Sequence, residues 1–386
     1  MTKTTTYKNT PIGPIPTEWQ VKKLGEVFKI SAGGDIKKEN VREYHDDTFC
    51  YPVYANASKN NGLYGYSNLY KIDKPSLTIS GRGEIGIAKA RYDKYYPIVR
   101  LLVLQPNLNL NLIYIENYIN SINLHVESTG VPQLTAPQIS KYEIPLPPLP
   151  EQQKIAEVLS TWDKAIQETD AIIKKLEARN KALAYSLLTG KKRVNGFEDK
   201  WDNYKLDHFL EEYSSKPNGE IDLPVFTSSK NGLMNQSDYY SGGRISSREN
   251  VDYNIIPDGY ITYRSRSDDG LFTFNKNTTG YDGLISGYYP VFKIVNGNDD
   301  FFLFYLNFFK NKLTKYSTGT SQLVLSFKAL KSATFHLPSL EEQNAIAAIL
   351  NTANQELKQY QQKLQALKLQ KKGLMQQLLT GKVRTV

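Results

Sequence analysis

Two stretches of this sequence copy each other, and any fold must accommodate both. Residues 146–193 and 337–384 align without a gap at a shift of 191, with 18 of 48 pairs identical. An internal repeat constrains architecture before any local signal does. In the first copy Ile155, Leu159, Trp162, Ile166, Thr169, Ile173, Leu176, Asn180, Leu183 and Leu187 advance in alternating steps of four and three. The second copy keeps the register with Ile346, Leu350, Ala353, Leu357, Tyr360, Leu364, Leu367, Lys371, Leu374 and Leu378. A period of about 3.5 residues over several heptads predicts a coiled-coil helix. Pro150 suits a first helical position, and Ser339 with Glu342 reads as a capping box. Gly190 and Gly381 suit C-terminal stops. One such helix leaves an apolar stripe in water, and the nearest partner is the other copy, paired antiparallel. The competing reading, a helix lying on its own globular domain, suits a long narrow stripe less well.

At 386 residues the chain has room for two or three domains. Its 48 basic and 39 acidic residues leave a net charge of +9, which favours an anionic partner, nucleic acid first. The only cysteine is Cys50, which excludes a disulfide framework and a thiolate metal cluster. The opening residues lack the apolar core of a signal peptide, and no run approaches the apolar length of a membrane span. The expectation is a cytoplasmic protein with no membrane partner.

Between the repeats, short β-branched runs such as Leu77–Ser80 and Pro97–Leu104 alternate with Gly and Asn clusters, and 112–127 reads as a helix. The region 197–338 restates the plan of 19–150. Trp201 and Leu206 stand at the spacing of Trp19 and Leu24, Pro224-Val225 matches Pro52-Val53, and Tyr289-Pro290 matches Tyr96-Pro97. Ser317-Thr-Gly-Thr-Ser-Gln322-Leu323 matches Ser128-Thr-Gly-Val-Pro-Gln133-Leu134. The expected class is α+β: two duplicated α/β domains separated by two long helices in an antiparallel coiled coil, with approximate twofold symmetry. The expected bounds are 1–150 for the first domain, 151–193 for the first helix, 194–338 for the second domain and 339–386 for the second helix.

Enzyme signatures are missing. Gly81-Arg-Gly83-Glu-Ile-Gly86 has dinucleotide-loop spacing, but a strand-like alternation follows it instead of a helix, so a tight hairpin is expected. Gly190-Lys191 and Gly381-Lys382 lack the remainder of a phosphate-binding loop. His45, His125, His208 and His336 are scattered without metal-ligand spacing. No catalytic, cofactor or metal residue is assigned. Polar and basic loop residues are plentiful. Candidate DNA contacts in the first domain are Lys37, Lys38, Arg42, Asn56, Ser58, Lys59, Asn60, Tyr64, Arg82, Lys89, Arg91 and Gln133. In the second they are Lys216, Lys230, Asn231, Arg244, Arg248, Arg264, Arg266, Lys276, Asn277 and Gln322. Arg and Lys match guanine edges, Asn and Gln match adenine, and cations hold phosphates. In an extended Tyr263–Arg266, Arg264 and Arg266 share a face.

The layout resembles the specificity subunits of type I restriction-modification systems. The resemblance rests on Ile12-Gly-Pro-Ile-Pro-Thr-Glu-Trp19 with Leu24-Gly-Glu-Val-Phe28, and on the echo Gly196-Phe-Glu-Asp-Lys-Trp201. It rests also on Ser128-Thr-Gly-Val-Pro-Gln133-Leu134, on Ile144-Pro-Leu-Pro-Pro-Leu-Pro-Glu-Gln152 and on Leu187-Leu-Thr-Gly-Lys191. It covers nearly the whole chain. It implies a non-catalytic subunit whose two target-recognition domains each read one half of a bipartite, asymmetric double-stranded DNA site. The helices would dock two methyltransferase subunits, with restriction/translocase subunits outside. S-adenosylmethionine, ATP and Mg would belong to those partners. Lys371 and Tyr360 within the seam depart from ideal pairing. The alternative function is a structural adaptor that dimerises partner proteins through its coiled coil without touching DNA.

Overall fold

Both repeats are helices. The computed structural model describes residues 5–57, 59–122, 124, 132–218, 222–230, 232–239 and 252–385. The chain divides into two units, Met1–Ala171 with Gln361–Val386, and Ile172–Tyr360.

The first unit is built on a four-stranded antiparallel sheet of β1 (Phe28–Ala32), β2 (Ser76–Ile79), β3 (Ala88–Arg91) and β4 (Leu102–Pro106), in the order β1-β4-β2-β3. Leu102 stands opposite both Ala32 and Ile79. Every residue of β2 is buried, as a short apolar run covered on both faces should be. Helix α1 (Leu112–Ser121) is capped by the Asn111 side chain and covers the free edge of β3. The Asn120 amide pairs with both backbone groups of Ala88, and Glu116 accepts from the Ala90 N–H. This satisfies an edge that would otherwise template foreign strands. A second ladder joins Gln20–Lys23 to Glu143–Leu146. The 112–127 expectation is therefore too long: Ile122 is already extended, and 125–127 lie outside the described residues. The expected strand over Pro97–Leu104 is broken by Val99 and Arg100, both with positive φ, so β4 begins at Leu102. The glycine-rich stretch is a hairpin connection between β2 and β3, as expected, with Gly83 and Gly86 at positive φ.

The second unit repeats the plan with little sequence in common. Strands β5 (Leu210–Tyr213), β6 (Ile261–Tyr263), β7 (Phe274–Lys276) and β8 (Val291–Ile294) are again antiparallel, in the order β5-β8-β6-β7. Helix α3 (Asp299–Phe308) is capped by Asn298, and Asn307 brackets both backbone groups of Phe274 as Asn120 does Ala88. Asp202–Lys205 pairs with Thr334–Leu337.

Helix α2 (Leu149–Leu188) has 40 residues, and α4 (Leu340–Leu378) has 39. Every seam position predicted in either helix is buried or half-buried. The pairing is antiparallel: in the first unit Lys371 meets Asp163 at 2.6 Å, and in the second Asn180 donates to the Ala353 carbonyl while Arg179 meets Glu356 at 2.7 Å. Lys371 thus sits in the seam because an aspartate neutralises it. The helix ends also enter the sheet cores, so the two competing readings of the stripe each hold over part of its length. Ile155, Leu159, Leu378 and Leu379 join Trp19, Leu24, Leu77, Leu104 and Ile115 in one core. Leu187, Leu188, Ile346 and Leu350 join Phe272, Phe292, Phe301 and Phe302 in the other. Gly190 and Gly381 end the helices at φ of 68° and 72°, a conformation cheap only for glycine. Among the described residues no helix is long and apolar enough to cross a membrane.

Candidate nucleic-acid interface

Each unit places its helix start against its sheet through one buried polar node. In the first, the Glu151 carboxylate is fully buried, accepts from the Trp19 indole at 2.9 Å, and pairs through both oxygens with Arg384. In the second, Glu342 accepts from the Trp201 indole at 2.9 Å and pairs through both oxygens with Arg193 at 2.7 and 2.6 Å. The carboxylate hydrogen bonds hold both guanidinium pKa values above the usual arginine range. Beside them Gln152 accepts from the Asn111 N–H and donates to the Pro147 carbonyl; Gln343 does the same for Asn298 and Pro338. The expected capping box is therefore only half formed. Ser339 accepts from the Glu342 N–H, but the Glu342 carboxylate is taken by Arg193 and Trp201. Two residues of each Glu-Gln pair, and Arg193 with Arg384, are identical between the repeats, which was the signal that could have marked them. These nodes are structural, and the candidate contacts lie elsewhere.

In the first unit several candidates meet where loops crowd one end of the sheet. Asn56 donates to the Val99 carbonyl and accepts from the Gly81 N–H, tying three loops together. Arg82 donates through Nε and Nη2 to Gln133 Oε1, at 3.1 and 2.9 Å. Lys59 and Asn60 are exposed on a turn in which Asn60 and Asn61 both have positive φ. Lys37, Lys38, Arg42 and Tyr64 are also exposed; Lys37 approaches Glu39, and Arg42 pairs with Asp46 and stacks on Phe49. Backbone N–H groups, that of Phe49 first, hold the Asp46 carboxyl below its usual range. Arg100, not among the expected contacts, is exposed, and its side chain makes no hydrogen bond or ion pair with a described residue.

Two expected contacts here serve the fold instead. Arg91 is buried over the Tyr54 ring at 3.6 Å and donates to the Asn61 carbonyl and Thr78, with burial pulling its pKa down. Lys89 pairs with Glu116 at 2.8 Å, where the carboxylate already braces β3.

In the second unit Lys230, Arg264 and Arg266 line a cleft of about 630 Å³ together with Asp268 and Asp269. Arg264 and Arg266 are exposed on either side of buried Ser265, although β6 ends at Tyr263. Arg266 stacks on exposed Tyr288 at 4.7 Å, and Arg264 makes no hydrogen bond or ion pair with a described residue. Lys230 pairs with Asp269, holding that carboxyl well below its usual range. Gln322 donates to Asp268 at 3.0 Å, and Lys216 pairs with Asp252. Lys276 and Asn277 are corrections. Burial works against the Lys276 charge, but hydrogen bonds to Asp299 and Asp300 prevail and raise its pKa. Asn277 is fully buried and holds the Ile256 and Tyr281 carbonyls. Ser58, Asn231, Arg244 and Arg248 lie outside the described residues. No cluster of three metal-ligating side chains occurs among the described residues.

The family described as the type I restriction modification DNA specificity domain matches residues 16–178 and again 199–369. A putative type I restriction enzyme specificity subunit of Methanocaldococcus jannaschii is 25% identical over 98% of this chain and 96% of its own length. A putative type I specificity subunit of Mycoplasma pneumoniae is 29% identical over 44% of this chain, and the match spans only 47% of that relative, about half its length. In fold, the chain resembles the crystal structure of a type I restriction-modification S subunit from M. genitalium, with a TM-score of 0.64 over 93% of this chain and 96% of that one, at 16% identity.

Proposed function

Since the chain belongs to the type I restriction-modification DNA specificity family, carrying two of its domains in tandem, we propose that it is the sequence-reading subunit of such a complex. In this reading each sheet domain contacts one half of a bipartite, asymmetric site in double-stranded DNA. The paired helices dock methyltransferase subunits, and restriction subunits join the assembly through those. Catalysis belongs to the partners, with S-adenosylmethionine, ATP and Mg bound there.

One observation carries the proposal. The two units share sheet order, edge brace and junction node, yet their loop tips differ in charge and hydrogen-bonding capacity. Equal scaffolds with unequal loops are what two different half-sites require, because base edges differ in donors and acceptors while phosphates do not. A pure adaptor would need no such divergence.

The test is binding of the full chain, assembled with methyltransferase subunits, to duplex DNA over a salt series. A steep fall of affinity with salt together with one preferred bipartite motif is the expected result. Partner assembly without any DNA affinity at low salt would favour the adaptor.

A further inference from the structure

We propose that Arg82 and Asp268, on corresponding loops of the two units, read opposite base edges, a guanine in the first half-site and a cytosine amino group in the second. Gln133 and Gln322 are the positioning residues. The inference rests on the DNA-reading function proposed above.

The equivalence comes from the chain's own duplication. In the first unit the loop leaving β2 is pinned to the segment around Gln133: the Leu134 N–H donates to the Gly81 carbonyl at 2.8 Å. A Cβ on Gly81 would lie 2.9 Å from the Leu134 carbonyl oxygen, so the approach needs glycine. In the second unit the loop leaving β6 is pinned to the matching segment. Arg266 pairs with Val324, Ser267 with Leu323, and the Leu325 N–H donates to the Ser265 carbonyl; Ser265 thus matches Gly81 and Arg266 matches Arg82, and Asp268 stands two residues further along the corresponding loop. In each unit the glutamine then reaches the loop tip.

Chemistry fixes what each tip offers. The Gln133 carbonyl oxygen takes the Nε edge of the Arg82 guanidinium, using one N–H of Nε and one of Nη2. Of the five guanidinium donors this leaves the end-on pair, one hydrogen on each terminal nitrogen, parallel and without a partner among the described residues. Two parallel donors match guanine O6 and N7. In the second unit the glutamine turns its amide donor to Asp268 Oδ1. Asp268 Oδ2 has no described partner, whereas neighbouring Asp269 is held by Lys230, Ser267 and the Leu271 N–H. A free carboxylate oxygen beside phosphates is unfavourable unless a base donates to it, and the cytosine amino group is such a donor. Arg264 and Arg266, in the same cleft, supply the cationic surroundings that hold the backbone near it.

The full chain is assembled with its methyltransferase subunits and offered a randomised duplex library, and methylated positions are sequenced. Wild type should show a guanine in one half-site and a cytosine in the other that depend on these residues. Arg82→Ala should raise methylation of substituted bases at the one guanine roughly 10–100-fold and leave the second half-site unchanged. Gln133→Ala should relax the same base, and Gln133→Glu, which keeps an acceptor for the guanidinium, should restore it; a merely structural glutamine would not give this rescue. Asp268→Ala should relax one cytosine in the other half-site only. Arg82 and Asp268 are exposed, so their loss should leave thermal unfolding within about 1 °C of wild type. An equal fall on every sequence, or no change in base preference, would overturn the assignment while leaving DNA reading intact. Absence of any selected motif with the wild-type complex would sink both.

Discussion

Removing Arg193 should unfold the second unit far more readily than its place in the loop after a helix suggests. Its guanidinium closes on Glu342 through two bonds of 2.7 and 2.6 Å, and the carboxylate side chain is only 1% exposed. In Arg193→Ala the carboxylate keeps one donor, the Trp201 indole. Removing one partner of a buried pair costs about 3–5 kcal/mol, because the remaining charge is stranded. Arg193 is itself 27% exposed, so water can enter where it stood, which places the cost near the lower end, about 3 kcal/mol. For a unit of this size each kcal/mol shifts Tm by roughly 2–4 °C, giving a fall of about 6–12 °C. Glu342→Gln added to Arg193→Ala should recover part of the loss, since the amide strands no charge. Calorimetry of the full chain, with tryptophan emission to follow Trp201, measures each variant. A loss under about 1 kcal/mol for Arg193→Ala, or no recovery in the double variant, would refute the view that a stranded carboxylate dominates.

Four further outcomes are expected. Asn180→Leu should leave stability unchanged or raise it by about 1 kcal/mol, because the Ala353 carbonyl that Asn180 bonds has its own helical partner and a polar seam residue trades stability for register; a fall in Tm by chemical or thermal melting would contradict this. Ile173→Asp, by contrast, buries a charge without a partner where an apolar side chain is 7% exposed, and should cost several kcal/mol in the same melts and weaken methyltransferase docking. Asp300, bonded to Lys276 and Asn351, has a folded pKa below its ordinary value despite burial, so its contribution is full above an unfolded pKa of about 3.9 and is lost as pH falls through the folded value; carboxyl NMR titration should show this carbon shifting below the unfolded range, and a raised midpoint would contradict the pairing. Replacing residues 19–143 with the matching domain of a relative should change one half-site of the methylated motif and spare the other, and a change in both would count against modular reading.

The helices were legible because their period needs only residue type: Leu159, Leu176 and Leu364 are apolar at regular steps, and burial follows. The duplication was legible for the same reason. What the sequence hid depends on who meets whom across distance. Residue type alone does not mark Arg91, at the end of β3, as buried and Arg82, in a loop, as exposed; the Tyr54 ring that covers Arg91 lies 37 residues away in sequence. Lys276 and Asn277 looked like surface because their partners, Asp299, Asp300 and the Ile256 carbonyl, come from other elements. Asp268 was passed over since an acidic residue is not an obvious DNA contact. Its meaning comes from a glutamine whose equivalent in the other copy grips an arginine.

The first unit is assembled from both ends of the sequence, and this sets the order of events during synthesis. Residues 361–386 leave the ribosome after all of the second unit, yet they carry Leu378, Leu379 and Arg384, which complete the first unit's core and neutralise buried Glu151. The earliest-made sheet therefore waits, with an apolar groove and an uncompensated carboxylate open, while the later-made unit can already close. Translation reverses the usual N-to-C maturation of domains. A stalled or truncated product would fail at the domain made first, and a chaperone that shields nascent apolar grooves would find its target there.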